Sequence, residues 1–188
     1  MKSIRLWLIR HLPPAVAPGI CYGRTDLPLQ TPLAQQTETV NALRDRLPKE
    51  APVFSSPLLR CAELAAMLDA AYVQDVRLQE MHFGAWEMHA WEDIGPQALD
   101  TWANDLAGFR PPEGETGYEV QQRALAWLRE ISDRHHEVVV VTHAGVMRAL
   151  QAHHQALPGA AWLTLRYDYG QLVRLDFSID QIDAAPVQ

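Results

Sequence analysis

The chain has 188 residues, 48% of them apolar and 21% charged, with a formal net charge of −7. That length supports one domain with a sizeable core. The acidic balance argues against a general nucleic-acid surface. No run approaches membrane-spanning length and nothing at the N-terminus resembles a cleaved leader, so a cytoplasmic protein with Cys21 and Cys61 as free thiols is expected.

Residues 3 to 9 read as a buried strand that stops at Arg10-His11. A loop rich in Pro and Gly follows from 12 to 30. Thr31-Pro32 predicts a helix start, and apolar residues at Leu33, Val40, Leu43 and Leu47 continue it to Pro48. Residues 53 to 55 predict a short strand, and Pro57 opens a helix to about residue 70. Residues 81 to 114 have weak periodicity, three tryptophans and several acids, and predict a lid with one helix near 96 to 106. Thr116 and Glu119 have the spacing of a capping box, opening a helix to about 133. Residues 138 to 142 form a fully apolar strand ending at His143, with a helix over 145 to 156. Alternation in 162–167 and 171–177 predicts an edge hairpin, and the tail from Asp180 reads as frayed. The alternation of strands and helices predicts one α/β domain: a three-layer α/β/α sandwich on a mixed, mostly parallel sheet.

The chemistry sits at the ends of these strands. Arg10-His11 and Thr142-His143 each follow a buried strand, where open α/β sheets usually bind ligands. Arg60 falls in the first helical turn after Ser55-Ser56-Pro57, and Glu80 stands at the mouth of the lid. Arginine rather than lysine supplies the cations, which suits two-pronged grip on phosphate.

Together these residues resemble the histidine phosphatase superfamily, the branch that includes cofactor-dependent phosphoglycerate mutase. The family's Arg-His-Gly falls on residues 10–12, its Ser-Ser-Pro-x-x-Arg on 55–60, its Leu-x-Glu-x-x-Phe-Gly on 78–84 and its Thr-His-Gly-Gly on 142–145. Within the family, ICYGRTDLPL and FGAWE most resemble α-ribazole phosphatases. The resemblance implies a phosphomonoesterase for a small phosphorylated metabolite, with His11 as nucleophile, His143 and Glu80 as further catalytic groups, and Arg10 and Arg60 holding phosphate. Tyr22, Gly23, Arg24 and Trp86 are candidate substrate contacts. No metal, cofactor, nucleic acid or membrane partner is called for, and no feature assigns an oligomeric state. A phosphoglycerate mutase, a broad-specificity phosphatase and a weak phospho-ligand-binding module are the alternatives. Three positions depart from the pattern: Leu12 replaces the glycine of the triplet, Ala144 makes the 142–145 segment Thr-His-Gly-Gly-like only, and Met88 stands where relatives often have glycine. Structural readings accompany the sharper ones. His82 and His89 lack a third metal ligand, and Trp86, Trp91 and Trp102 suit packing as well as ligand contact.

Overall fold

The computed structural model describes residues 2–185. Five strands form one sheet: β1 (Ser3–Arg10), β2 (Val53–Ser55), β3 (Val73–Gln74), β4 (Glu137–Thr142) and β5 (Leu172–Ser178), in the order β3-β2-β4-β1-β5. The first four run parallel to one another, and β5 is antiparallel to β1 at the edge. β4 and β1 lie inside the sheet and are Val- and Ile-rich, as strands covered on both faces must be. Their side chains alternate between two cores. Leu6, Leu8, Val138 and Val140 face one side with Trp127, Leu128 and Met147. Ile9, Val139 and Val141 face the other with Val40, Leu43, Cys61 and Leu64.

The helices that supply those cores are α1 (Thr37–Arg44) and α2 (Leu59–Leu68) on one face. On the opposite face lie α5 (Gly117–Ser132), α6 (Ala144–His154) and α7 (Ile179–Asp183). The short helices α3 (Trp91–Ile94) and α4 (Pro96–Asn104) belong to the segment between β3 and α5. No helix among the described residues is long and apolar enough to cross a membrane.

Several elements differ from expectation. The segment after Pro32 is a 3-10 turn, Leu33–Gln35, interrupted at Gln36 before α1 begins, because the carbonyls of Pro32 and Leu33 are taken by i+3 amides. The predicted hairpin has one strand only. Its first arm is a 3-10 segment, Gly159–Thr164, because Trp162 is buried against Tyr118. Downstream carbonyls that would have served a ladder are taken by arginines: Leu165 by Arg148 and Tyr167 by Arg10. The start of the tail forms α7, closed by a capping box of Ser178 and Gln181, while residues 186–188, also read as frayed, lie outside the described residues. That Ser-x-x-Gln spacing is a helix-start signal in the sequence itself. The expected box at Thr116 and Glu119 is present.

Met88 adopts a φ of 63°, the left-handed region that a residue with a Cβ enters at a cost of about 1 kcal/mol or more. Its side chain is half exposed, so little burial is lost on truncation. Met88→Gly should therefore raise the unfolding free energy by about 0.5–1 kcal/mol. Urea unfolding checks this; a lower midpoint in the variant would show that the Met88 side chain contributes more than the strain costs.

Candidate active site

The sheet's register brings three chain exits side by side. β2, β4 and β1 are neighbours, with Ser55 beside Val141 and Arg10 beside Thr142. Two more hydrogen bonds continue the ladders beyond the strands: Ser56 N–H to Val141 O at 3.0 Å, and His11 N–H to Thr142 O at 3.0 Å. Ser56, His143 and His11 consequently leave the sheet at one level. The two imidazoles meet edge to face with ring centroids 5.1 Å apart. Both are almost fully buried, His11 at 1% and His143 at 0% exposure.

The tautomer of His11 is set by its neighbour. Its Nδ1 lies 2.7 Å from the carbonyl oxygen of Leu12, which can only accept, so Nδ1 carries the hydrogen and Nε2 keeps its lone pair. The Leu12 side chain is buried in the α1–α2 core. Leucine at the triplet's glycine position thus contributes packing while its backbone orients the histidine. Burial, then the charge of Arg60 and more weakly that of Arg10, pushes His11 down to about 3 against the Leu12 bond. His143 is held well below the usual histidine range by burial, then by His11, Arg60, Arg123 and Arg10. Its Nε2 pairs with Ser56 Oγ at 2.8 Å.

Arg60 is fully buried, in the first turn of α2. Its Nη atoms donate to Thr25 O at 2.9 Å and Gly23 O at 2.7 Å. Arg10 Nη1 donates to Tyr167 O at 2.6 Å. Neither guanidinium is within ion-pair distance of a carboxylate among the described residues. The Nε of each is buried with no partner, and an unmet charged donor is costly to bury. An oxyanion beside His11 is the group that such donors can accommodate.

Glu80 lies at the start of α6: Oε2 accepts from Gly145 N–H at 3.2 Å and Oε1 from Met81 N–H at 2.9 Å. Its backbone carbonyl is gripped by Arg24 Nε at 3.2 Å and Arg123 Nη2 at 3.1 Å. Glu115 pairs with both of those arginines, at 3.1 Å to Arg24 and 2.8 Å to Arg123. Arg24, expected as a substrate contact, is therefore spent on holding Glu80 in place. Gly23 also acts through its backbone. Its carbonyl serves Arg60, and a Cβ there would lie 2.4 Å from Glu87 Oε1. Glu87 itself accepts from the amides of Phe83, Arg24 and Thr25, tying the lid to the 23–25 loop.

Trp86 does not face the site. It is 7% exposed, stacked on Phe109 and edge-on to Trp102, so its ring is taken up by packing within residues 81 to 114. A cavity beside Glu80 is lined instead by Phe83, Trp102, Trp162, Gly145 and Arg148. Tyr22 does stand at the site, its ring centroid 5.3 Å from the Arg60 guanidinium carbon. Among the described residues no cluster of three or more His, Cys, Asp or Glu has metal-binding geometry. Three site residues carry no local sequence signal. Arg123 and Arg148 look like ordinary helix-surface arginines, and Tyr169 lies in a turn far along the chain. Ser56 lay within a recognised motif without an assigned contact.

Both imidazoles resist protonation in the folded chain, whereas in the unfolded chain they titrate near pH 6.5. The contribution of His11 to stability is complete above about pH 6.5 and is lost as pH falls from there towards 3, where only the unfolded chain takes up the proton. The loss amounts to about 1.4 kcal/mol per pH unit, and His143 acts in the same direction. Urea unfolding between pH 7 and 4.5 should show this slope, and His11→Gln should flatten it relative to the parent. Parallel slopes would mean that His11 accepts a proton in the folded protein.

A model of the histidine phosphatase superfamily (branch 1) matches residues 6–185. The adenosylcobalamin/alpha-ribazole phosphatase of Escherichia coli (strain K12) is 28% identical over 185 residues, 93% of this chain and 91% of that protein. The glucosyl-3-phosphoglycerate phosphatase of Mycolicibacterium vanbaalenii is 31% identical, over 88% of this chain and 80% of that protein. The native structure of a mycobacterial glucosyl-3-phosphoglycerate phosphatase superposes with a TM-score of 0.83 at 26% identity, covering 96% of this chain and 93% of that one. With the match running from β1 to residue 185, and the strand-end histidines and arginines gathered as described, the chain belongs to the histidine phosphatase superfamily and is a phosphoric monoester hydrolase.

Proposed function

We propose that this hydrolase works without a metal, through a phosphohistidine at His11. The observation that carries the proposal is the Nδ1–H bond from His11 to the Leu12 carbonyl, which leaves Nε2 unprotonated next to two guanidinium groups with unmet donors. Nε2 attacks phosphorus while the bond to the leaving oxygen breaks. Arg10 and Arg60 hold the non-bridging oxygens. A bound phosphate dianion reverses the local field and favours protonated His143, which then donates to the same oxygens. Glu80 gives a proton to the departing alkoxide. It then takes one from the water that attacks phosphorus, the P–N bond breaks, and His11 and phosphate are regenerated. Residues 81 to 114 cover the site as a lid on the single domain.

The cavity beside Glu80 is suited to the leaving group. Its walls of Phe83, Trp102 and Trp162 fit a ring, and with the E. coli relative this supports α-ribazole 5′-phosphate or a related ester as substrate. A second reading is favoured by Arg148. It lines the same cavity, forms no ion pair among the described residues, and binds only the Leu165 carbonyl through Nε, at 3.2 Å. The lid's acids are expected to repel a carboxylate, yet Glu87 is occupied by the 23–25 loop and Arg148 supplies a cation. A leaving group with a carboxylate, as in glucosyl-3-phosphoglycerate, is compatible with that arrangement.

Labelled substrate quenched during turnover should leave phosphate on His11 that survives base and is released by acid, and His11→Ala should abolish both label and turnover. Full activity in His11→Ala would refute the intermediate. Glu80→Gln should slow alkyl esters by about 10²–10⁴ and p-nitrophenyl phosphate far less, because nitrophenolate leaves without a proton. Equal losses would make Glu80 a phosphate-positioning group.

Comparison of kcat/KM for α-ribazole 5′-phosphate and glucosyl-3-phosphoglycerate separates the two substrate readings. Under the second, Arg148→Met should lower kcat/KM for the carboxylate-bearing ester by about 10–100-fold relative to the ribazole ester. Under the first, the parent prefers the ribazole ester and Arg148→Met does not reverse the ratio.

A further inference from the structure

Two loops far apart in sequence each place a tyrosine over one of the phosphate-facing arginines. Tyr169 lays its ring over Arg10, with the guanidinium carbon 3.8 Å from the ring centroid. The same ring is 5.5 Å from that of His11. Tyr22 stands over Arg60 at 5.3 Å. The two hydroxyls meet across the site at 3.0 Å. Each loop is also anchored by the arginine that it covers. Arg10 donates to the carbonyl of Tyr167, two residues before Tyr169. Arg60 donates to the carbonyl of Gly23, the residue after Tyr22.

The Tyr169 turn is further stitched to the strand end. Gly170, at a φ of 71°, donates its N–H to Arg10 O at 3.0 Å. Gln171 N–H closes the turn onto Asp168 O at 3.1 Å. A Cβ at Gly170 would lie 3.0 Å from Leu12 Cδ2, so the turn sits as close to the His11 segment as its backbone allows. Burial and the Tyr169 contact push the Tyr22 hydroxyl above its usual range, so it stays protonated at neutral pH. Tyr169 is the more exposed partner, at 40%.

We propose that Tyr22 and Tyr169 form a clasp that competes with phosphate for the site, and that Tyr169 is a positioning residue for Arg10. The hydroxyl–hydroxyl bond closes the free site and must break before a phosphoryl group reaches His11. The Tyr169 ring does the opposite, holding the Arg10 guanidinium in place through its π-face. One side chain thus carries two contributions of opposite sign, and substitution can separate them. The proposal rests on the phosphatase reading of the His11 site but is measured through binding, independently of turnover.

The test is titration of inorganic phosphate into the free protein by calorimetry, with competition against p-nitrophenyl phosphate as a second readout. Tyr22→Phe and Tyr169→Phe each remove the hydroxyl bond and should tighten phosphate binding about two- to tenfold, the range that a net hydrogen bond represents. The double Phe variant should bind no more tightly than either single variant, because both delete the same bond. Tyr169→Ala also removes the ring over Arg10, and should bind about two- to fivefold more weakly than Tyr169→Phe. Unfolding midpoints identify any variant that has lost its fold, and the conservative Phe pair keeps the test valid if Tyr169→Ala does not fold.

Additive gains in the double variant, or weaker phosphate binding in either Phe variant, would overturn the clasp. Equal binding by Tyr169→Phe and a folded Tyr169→Ala would overturn the positioning role. A protein that shows the expected binding series without hydrolysing p-nitrophenyl phosphate would keep the clasp and contradict the phosphatase reading. One that hydrolyses it without the series would do the reverse.

Discussion

Two guanidinium groups with no carboxylate partner among the described residues, Arg60 buried and Arg10 partly so, are the constraint on which the site depends. Arg60 is fully buried, yet it and Arg10 bind only backbone carbonyls, from the 23–25 loop and from Tyr167. Carbonyl dipoles satisfy hydrogen bonds but leave the positive charge uncancelled, and burying such a charge is expensive. The protein carries that cost at one place and withdraws those carbonyls from regular secondary structure. The local result is a cationic pocket in a chain with a net charge of −7. The same field, added to burial, keeps His11 and His143 neutral.

The surrounding loops make sense against that field. Glu80 is kept at the edge of the pocket by amides at the start of α6, while Glu115 ties down Arg24 and Arg123 behind it. Acids are thus used to position other groups and are kept from neutralising Arg10 or Arg60. The lid is joined to the 19–25 loop at several points: the Ile20–Ala90 bridge, Cys21 N–H to His89 O, and the Glu87 carboxylate. Residues 81 to 114 are therefore joined directly to the loop whose carbonyls hold Arg60.

The cavity beside Glu80 is built from a different set of atoms, combining aromatic walls with a single cation at Arg148. The aromatic richness of the lid is mostly self-packing: Trp91 stacks on Trp102 and Trp86 on Phe109. Of its aromatics, Phe83 and Trp102 reach the cavity wall, beside Met81 and Leu106.

The sequence by itself marked out strands over 3–9 and 138–142, each within one residue of the strand observed, the Thr116 capping box, and Arg10, His11, Arg60, Glu80 and His143 as one candidate group. Those features are local: periodicity, cap spacing and short motifs are all written within a dozen residues. Tertiary structure alone decided what each neighbouring side chain does. Arg24 and Gly23 read as substrate contacts but serve Glu80 and Arg60. Trp86 read as a ligand surface but is buried. Tyr169 is separated from Arg10 by 159 positions yet covers it at 3.8 Å. The residues at 162–167 alternate like a strand, but those up to Thr164 end a 3-10 segment and 165–167 run on irregularly, because a buried tryptophan and two arginines claim their surroundings. The physical reason is common to all of these. A side chain's role depends on which unmet donors, charges and apolar surfaces the fold places opposite it, and those partners come from distant parts of the chain.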